Sequence, residues 1–192
     1  MEYIKTHIPG VVILRPRIFT DSRGYFMETY RHSDFTENIG EIDFIQDNES
    51  ASVQGVVRGL HFQKMPHSQS KLVRCVSGRV MDVAVDLRSG SPAFGRHISV
   101  VLDADEGTQL FIPKGFAHGY TVLSPRAVFQ YKCDAYYRPE AEGGIDPFDP
   151  ALGIDWKISR DQAIVSDKDA VRPTLAEIKD TLNFSDDPYD RL

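Results

Sequence analysis

Residues 71–136 constrain the fold most strongly, because short apolar stretches follow one another there with turn residues between them. The stretches KLVRCV and RVMDVAVDLR are joined by Ser77-Gly78, and the second places Met81, Val83, Val85 and Leu87 on one face. A period of two residues is typical of β-strands, and Gly, Pro, Asp and Ser between strands indicate turns. The pattern therefore predicts an all-β fold, an antiparallel sandwich or barrel of the jelly-roll kind.

The N-terminal residues predict a hairpin followed by a short helix. Strands at residues 11–14 and 25–30 flank the turn sequence Asp21-Ser22-Arg23-Gly24. Ser33 is expected to cap a helix over residues 34–39 that ends at Gly40. A brief strand is expected over residues 44–48.

The C-terminal residues lose the strand pattern. Residues 138–156 are rich in Pro, Gly and Asp and predict an ordered loop over the barrel. Thr174 is expected to cap a helix that reaches residue 182, with Leu175, Ile178 and Leu182 on one side. We expect a single domain over residues 1–192, with a barrel core at about 45–137, N-terminal strands at 10–30 and a C-terminal loop and helix at 138–192.

Charge and hydropathy narrow the class of protein. A formal net charge of -6 argues against a general nucleic-acid or membrane-surface binder. No segment approaches the apolar length of a membrane span, so a cytoplasmic, soluble protein is expected. The two cysteines, Cys75 and Cys133, lie in strand-like stretches and are expected to be reduced and buried.

Polar side chains concentrate in the stretch VRGLHFQKMPHSQSK, residues 57–71, which makes it the first candidate for an active site. It holds Arg58, His61, Gln63, His67 and Lys71 around Gly59. Residues 58 and 61 would face opposite sides of a regular strand. If both side chains enter one pocket, the backbone at Gly59 must therefore bend or bulge.

The sequence PKGFAH matches the Pro-x-Gly-x-x-His pattern of cupins and places His118 at the mouth of a barrel. Metal-binding cupins carry a His-x-His pair in their first motif, whereas this chain has His61-Phe62-Gln63. An amide is a poor ligand for a transition metal, so no metal site is expected. The remaining histidines, 7, 32, 67 and 97, are expected to have surface or packing roles.

Without a metal, His61 is available as a general base if an acidic partner orients it. The residues alone leave four partners open, namely Asp82, Asp86, Asp167 and Asp169. Tyr131 shares a strand face with Phe129 and Cys133, and is either a core residue or a proton donor. Arg58 and Lys71 suit a phosphate or an oxyanion.

Seven ordered segments together resemble the dTDP-4-dehydrorhamnose 3,5-epimerase family. They are DSRGYFMETY, QDNES, RGLHFQ, QSKLVRCVSGRVMDVAVDLRSGSPAFG, IPKGFAHGY, YKCDAYY and SDKD. The resemblance implies a cupin-like jelly roll and a homodimer with exchanged N-terminal strands. It also implies a dTDP-4-keto-6-deoxyhexose substrate and neither a metal nor an organic cofactor.

The resemblance also implies roles for individual residues. His61 matches the general base, Asp169 its carboxylate partner, and Tyr131 the acid on the opposite face of the sugar. Residues expected to contact the substrate are Arg23, Phe26, Glu28, Gln46, Asn48, Arg58, Lys71, His118, Glu142 and Lys168. Phe26 would stack on the thymine, and Arg23 and Glu28 would serve the partner's pocket. Proton removal beside the 4-keto group would give an enolate, and reprotonation from the other side would invert carbons 3 and 5.

The chain departs from the family pattern at Pro147-Phe148, where many double epimerases carry a Trp-centred sequence. The alternative is therefore a mono-epimerase that inverts only carbon 3 or only carbon 5. A different class, either a non-catalytic sugar-nucleotide-binding cupin or a metal-dependent oxygenase, is the third hypothesis.

Overall fold

Two antiparallel sheets form the body of the protein in a computed structural model that describes residues 1–184. Within these residues the chain forms thirteen strands. They are β1 Glu2–Lys5, β2 Val12–Arg15, β3 Ile18–Asp21, β4 Gly24–Met27, β5 Gln46–Val53, β6 Val57–Gln63, β7 Lys71–Ser77, β8 Arg79–Asp86, β9 His97–Asp103, β10 Gln109–Ile112, β11 Phe116–Val122, β12 Arg126–Cys133 and β13 Glu142–Gly144.

The strand order is that of a jelly roll. The large sheet has the order β1-β2-β10-β7-β12-β5, and the small sheet has the order β13-β6-β11-β8-β9. Strands β7 and β8 do not pair, because the chain crosses from the large sheet to the small one at Gly78, which has a φ of 76°. The predicted all-β antiparallel architecture is confirmed.

The core between the sheets is built from the inward faces of both. The large sheet contributes Val73, Leu110 and Phe129, and the small sheet contributes Ala84 and Tyr120, among others. The face of β8 with Met81, Val83, Val85 and Leu87 packs instead beneath the C-terminal segment. Both faces of β8 are therefore buried, which explains its nearly continuous apolar sequence.

The N-terminal residues fold partly as expected. The turn Asp21–Gly24 closes a hairpin, but its two strands are Ile18–Asp21 and Gly24–Met27. The strand expected at residues 11–14 is β2, which pairs with β1 and β10 instead. Helix α1 spans His32–Asn38, with Arg31 as N-cap and no side-chain cap. The expected Ser33 cap is wrong, because Ser33 already lies inside the helix, which is held by Phe35 packing on Phe111 of the large sheet.

The C-terminal segment is more ordered than its composition indicates. Residues Glu142–Gly144 form β13, which pairs with β6 where only loop was expected. Two further helices are short, α2 at Asp167–Ala170 and α3 at Leu175–Ile178. The expected Thr174 cap is confirmed as a capping box with Glu177, and a 3-10 turn then continues the helix to Thr181. The last part of the predicted 138–192 segment lies outside the described residues.

Two further expectations from the sequence concern the cysteines and membrane-spanning segments. Cys75 and Cys133 are both buried and unpaired, as expected. In residues 1–184 no helix is long and apolar enough to cross a membrane.

Candidate active site

An open cavity of about 490 Å³ lies at one end of the barrel. The small sheet supplies Arg58 and His61 from β6, and the large sheet supplies Lys71 from β7 and Tyr131 from β12. The C-terminal segment closes a third side with Glu142, Lys168 and Asp169. Seven of the residues predicted from the sequence therefore meet in one cavity.

The backbone at Gly59 brings Arg58 and His61 to the same side of β6. His61 lies opposite His118 of β11 and Arg58 opposite Tyr120, so three steps on β6 match two on β11. This is the register shift of a β-bulge, and Gly59 within it has a φ of 115°. The bulge predicted at Gly59 is confirmed.

Replacing Gly59 by alanine is expected to lower the free energy of unfolding by about 2–4 kcal/mol. A Cβ there would lie 2.6 Å from the Gly119 Cα and 2.7 Å from the His118 carbonyl oxygen. Gly153→Ala is the matched control, since Gly153 also has a positive φ but a Cβ would meet nothing within 4 Å. Urea unfolding measures both. Equal losses in the two variants would contradict close packing at Gly59.

A short hydrogen bond joins His61 to Asp169. The distance from His61 Nε2 to Asp169 Oδ1 is 2.5 Å, with the imidazole 38% exposed and the carboxylate 5% exposed. Of the four aspartates that the sequence leaves open as partners, Asp169 therefore has the contact with His61. With Nε2 held by Asp169, the Nδ1 lone pair is the one free to take a proton.

Asp169 is held as a carboxylate by the local fold. It lies in α2, where Ser166 caps the helix and accepts a hydrogen bond from the Asp169 backbone N–H at 3.1 Å. Burial raises the pKa of Asp169, but hydrogen bonds from His61, the Gly59 N–H and Ser166 outweigh it and bring the pKa below its usual value. The ionised form suits orientation and stabilisation of an imidazolium.

Tyr131 and Lys71 reach the cavity from the large sheet, on the side opposite His61. Burial raises the pKa of Tyr131 to about 12, despite the opposing charge of Arg58. The phenol is therefore protonated at neutral pH and is able to donate. The Lys71 ammonium lies 5.8 Å from the centre of the Tyr131 ring, and burial lowers its pKa.

His118 is buried beside this cavity and is bound to Asp82. Its Nε2 lies 2.8 Å from Asp82 Oδ2. Burial lowers the pKa of His118, and the nearby Lys71 and His61 act in the same direction against the attraction of Asp82. A neutral imidazole that donates from Nε2 to a carboxylate has only a lone pair at Nδ1. Asp82, another of the four candidate partners of His61, is therefore hydrogen-bonded to His118 instead.

Glu142 is the centre of an ion-pair cluster at the cavity wall. Its carboxylate receives Lys168 at 2.6 Å, the Tyr137 hydroxyl at 2.6 Å and the Arg172 guanidinium. Burial raises the pKa of Glu142, but these three partners lower it to about 2. Sequence reasoning missed Tyr137 and Arg172, because no motif in the sequence connects either of them with Glu142.

Besides His118, five predicted substrate contacts lie outside the cavity lining of the described residues. Gln46 and Asn48 lie on β5, where Asn48 is opposite Tyr131 and the Gln46 side chain accepts from the Tyr137 N–H at 2.9 Å. Arg23, Phe26 and Glu28 lie on or just after the β3–β4 hairpin, a separate two-stranded sheet. Phe26 is 69% exposed there, and β2 pairs with β10 of the same chain.

The Gln63 side chain forms hydrogen bonds with three backbone groups, which the sequence did not predict. Its amide donates to the backbone oxygens of His67 and Tyr136, and its oxygen accepts from the Arg138 N–H at 2.6 Å. The side chain is 4% exposed. In residues 1–184 no group of three or more His, Cys, Asp or Glu side chains is arranged to hold a metal ion.

Comparisons with known proteins identify the family of the chain. A family model described as dTDP-4-dehydrorhamnose 3,5-epimerase matches residues 5–177. The dTDP-4-dehydrorhamnose 3,5-epimerase of Salmonella typhimurium strain LT2 is 50% identical over 176 residues, covering 91% of this chain and 96% of that protein.

Solved structures extend the similarity to the fold. A dTDP-6-deoxy-D-glucose-3,5-epimerase from Legionella pneumophila, in complex with dTDP-4-keto-L-rhamnose, has a TM-score of 0.92 and 44% identity, covering 97% of this chain and 98% of that one. A 3'-monoepimerase from Streptomyces bikiniensis, in complex with dTDP-quinovose, has a TM-score of 0.86 and 34% identity, covering 93% and 90%. The cupin-like jelly roll is thereby confirmed, and the chain belongs to the dTDP-4-dehydrorhamnose 3,5-epimerase family.

Proposed function

We propose that this protein epimerises a dTDP-4-keto-6-deoxyhexose at carbons 3 and 5, giving a product of the dTDP-4-keto-L-rhamnose type. The observation that carries the proposal is the His61–Asp169 pair, which faces a protonated Tyr131 across the cavity. A base on one sheet and an acid on the other are what inversion at carbon requires.

The first step is removal of a proton. A 4-keto group acidifies the hydrogens on carbons 3 and 5, and His61 Nδ1 takes one of them. The electron pair of the C–H bond moves into an enolate, whose negative charge rests on the oxygen of carbon 4. Asp169 stabilises the imidazolium that forms, since its carboxylate already accepts from Nε2 at 2.5 Å.

Stabilisation of the enolate falls mainly to Lys71. Its ammonium is positioned beside Tyr131 on the wall of the cavity. His118 matches a residue around the keto group, but in its neutral form it offers no proton from Nδ1. We therefore assign His118 and Asp82 to holding the positive charge of Lys71 near the oxygen, because Asp82 attracts that charge.

The second step is proton delivery to the opposite face. Tyr131 donates its hydroxyl proton to the enolate carbon, which restores the ketone with the configuration inverted. The resulting phenolate lies near the positive charge of Arg58, and it recovers its proton as His61 loses one. Repetition at the second carbon completes the double epimerisation, and no oxidation state changes.

The remaining predicted contacts fit binding of the nucleotide. Arg58 and Lys168 supply positive charge for a diphosphate, and Gln46, Asn48 and Glu142 supply polar groups for the sugar or the base. The exposed β3–β4 hairpin suits exchange in a homodimer, in which Arg23, Phe26 and Glu28 would reach the partner's cavity. Phe26 would then stack on the thymine.

The mono-epimerase alternative rests on Pro147 and Phe148, and their positions in the structure do not favour it. Pro147 and Phe148, which depart from the family pattern, lie beside Trp156 beneath the outer face of the small sheet. Neither residue lines the cavity in the described part of the chain. The departure therefore gives no reason to assign a narrower reaction.

Turnover of dTDP-4-keto-6-deoxyglucose tests the proposal. We expect proton NMR to show a product inverted at carbons 3 and 5, which a 4-ketoreductase then consumes. Unchanged substrate in the presence of folded protein would contradict an epimerase. Inversion at one carbon alone would contradict the double epimerisation and establish the alternative.

A further inference from the structure

Arg172 lies behind the cavity wall and has no role in the mechanism described so far. It follows α2 by two residues, and its side chain is 13% exposed. Within residues 1–184 it is not among the residues that line the cavity. It therefore acts on the site only through other side chains.

The Arg172 guanidinium contacts two carboxylates of the site at once. Its Nη2 donates to Glu142 Oε1, and its Nε lies 3.7 Å from Asp169 Oδ1. That same Oδ1 atom accepts the hydrogen bond from His61. Nε is buried and makes no hydrogen bond within the described residues, so its contact with Asp169 is an ion pair without a hydrogen bond.

The backbone beside His61 leaves room for this guanidinium. Gly144 of β13 lies opposite His61 of β6. A Cβ at Gly144 would lie 2.6 Å from Arg172 Nε and 2.9 Å from its Cζ. The guanidinium therefore packs against the strand directly next to the proposed base.

We propose that Arg172 is a positioning residue that holds Asp169 and Glu142 in place and sets the pH range in which His61 acts as a base. The inference deepens the proposed function and rests on it for its kinetic part. A fixed positive charge beyond Asp169 competes with the imidazolium of His61 for the same carboxylate oxygen. Asp169 is therefore left with less attraction for an imidazolium at position 61 than it would have without Arg172.

Other charged and titratable groups also face His61, and they are retained when Arg172 is changed. The cations are Arg58 on β6, Lys71 on β7 and Lys168 in α2. The remaining groups are His118 on β11, Tyr131 on β12, Tyr137 after it, Glu142 on β13 and Asp169 in α2. Since they are common to all the variants below, a difference between variants reports on position 172.

The test measures His61 in two independent ways. The first is an NMR titration of the histidine ring signals, with His61 assigned by comparison with His61→Ala. The second is the pH dependence of kcat/KM. In Arg172→Gln we expect the His61 pKa and the acid limb of kcat/KM to move upward together by about 0.5–1 pH unit. At pH values well above the limb, kcat/KM should change by less than about threefold.

Two further variants separate charge from packing. Arg172→Lys retains the charge and should restore at least about half of the shift. Arg160→Gln is the matched control, since Arg160 pairs with Asp146 at 2.8 Å and lies outside the cavity lining of the described residues. It should leave both measurements unchanged.

An unchanged or lowered His61 pKa in Arg172→Gln would overturn the inference, as would a shift in Arg172→Lys as large as in Arg172→Gln. If Arg172→Gln does not fold, the Arg172→Lys titration against wild type decides, because a shift above about 0.5 unit there contradicts a charge effect. Absence of epimerase activity in the wild type would refute the proposed function, whereas the NMR titration still tests Arg172.

Discussion

His61→Ala is expected to lower kcat for epimerisation by about three orders of magnitude or more. The variant removes the proposed base and leaves Asp169 without the partner that lies 2.5 Å away. The cations proposed to bind the nucleotide remain, so affinity for dTDP should change by less than about threefold. Steady-state NMR assays and equilibrium dialysis measure the two quantities separately.

The exposed His7 provides the matched control for this experiment. It lies outside the cavity lining of the described residues, and His7→Ala should retain wild-type turnover. A kcat for His61→Ala within about tenfold of wild type would contradict the assignment of the base.

Tyr131→Phe is expected to lower the rate of inversion by about 10²–10³-fold while deuterium exchange continues. Without the phenol, no acid serves the face opposite His61. The imidazolium can still return a proton, exchanged with solvent, to the face from which it came. In deuterated water the substrate should therefore gain deuterium and keep its original configuration.

Tyr120→Phe is the corresponding control. Tyr120 is buried on β11, and its hydroxyl contacts Ser50 at 2.9 Å rather than the cavity. Its loss should leave the ratio of inversion to exchange unchanged. If Tyr131→Phe lost exchange and inversion to the same extent, Tyr131 would not be the acid of the second step.

Most of the fold follows from local patterns in the sequence. Alternation in β7 and β8 and the turn at Asp21–Gly24 are each determined by neighbouring residues, so they were predictable. Strand β13 was not, because its Glu-Gly-Gly sequence has no strand preference and pairs only because β6 presents an edge. Ser33 shows the same limit, since the helix begins at His32 and packs on the large sheet through Phe35, which is distant in sequence from its partner Phe111.

Some features of the site were also predictable from local sequence, and others depend on contacts between distant residues. The bulge at Gly59 followed from strand geometry, because Arg58 and His61 had to share a pocket. The partner of His61 did not follow from local geometry, because four aspartates were equally compatible with the sequence. Only the resemblance to the family indicated Asp169, which lies in contact with His61. Arg172 lies outside the seven segments that resemble the family, and the segment YKCDAYY does not indicate that its last residue, Tyr137, contacts Glu142, so only the three-dimensional contacts identify them.

Position-resolved deuterium exchange in wild type and His61→Ala is the decisive test of whether His61 removes the proton. In deuterated water, we expect deuterium at both carbon 3 and carbon 5 in a product that wild-type protein has inverted. With His61→Ala we expect no enzyme-dependent exchange at either carbon. Exchange at either position by His61→Ala at the wild-type rate would show that another group removes the proton.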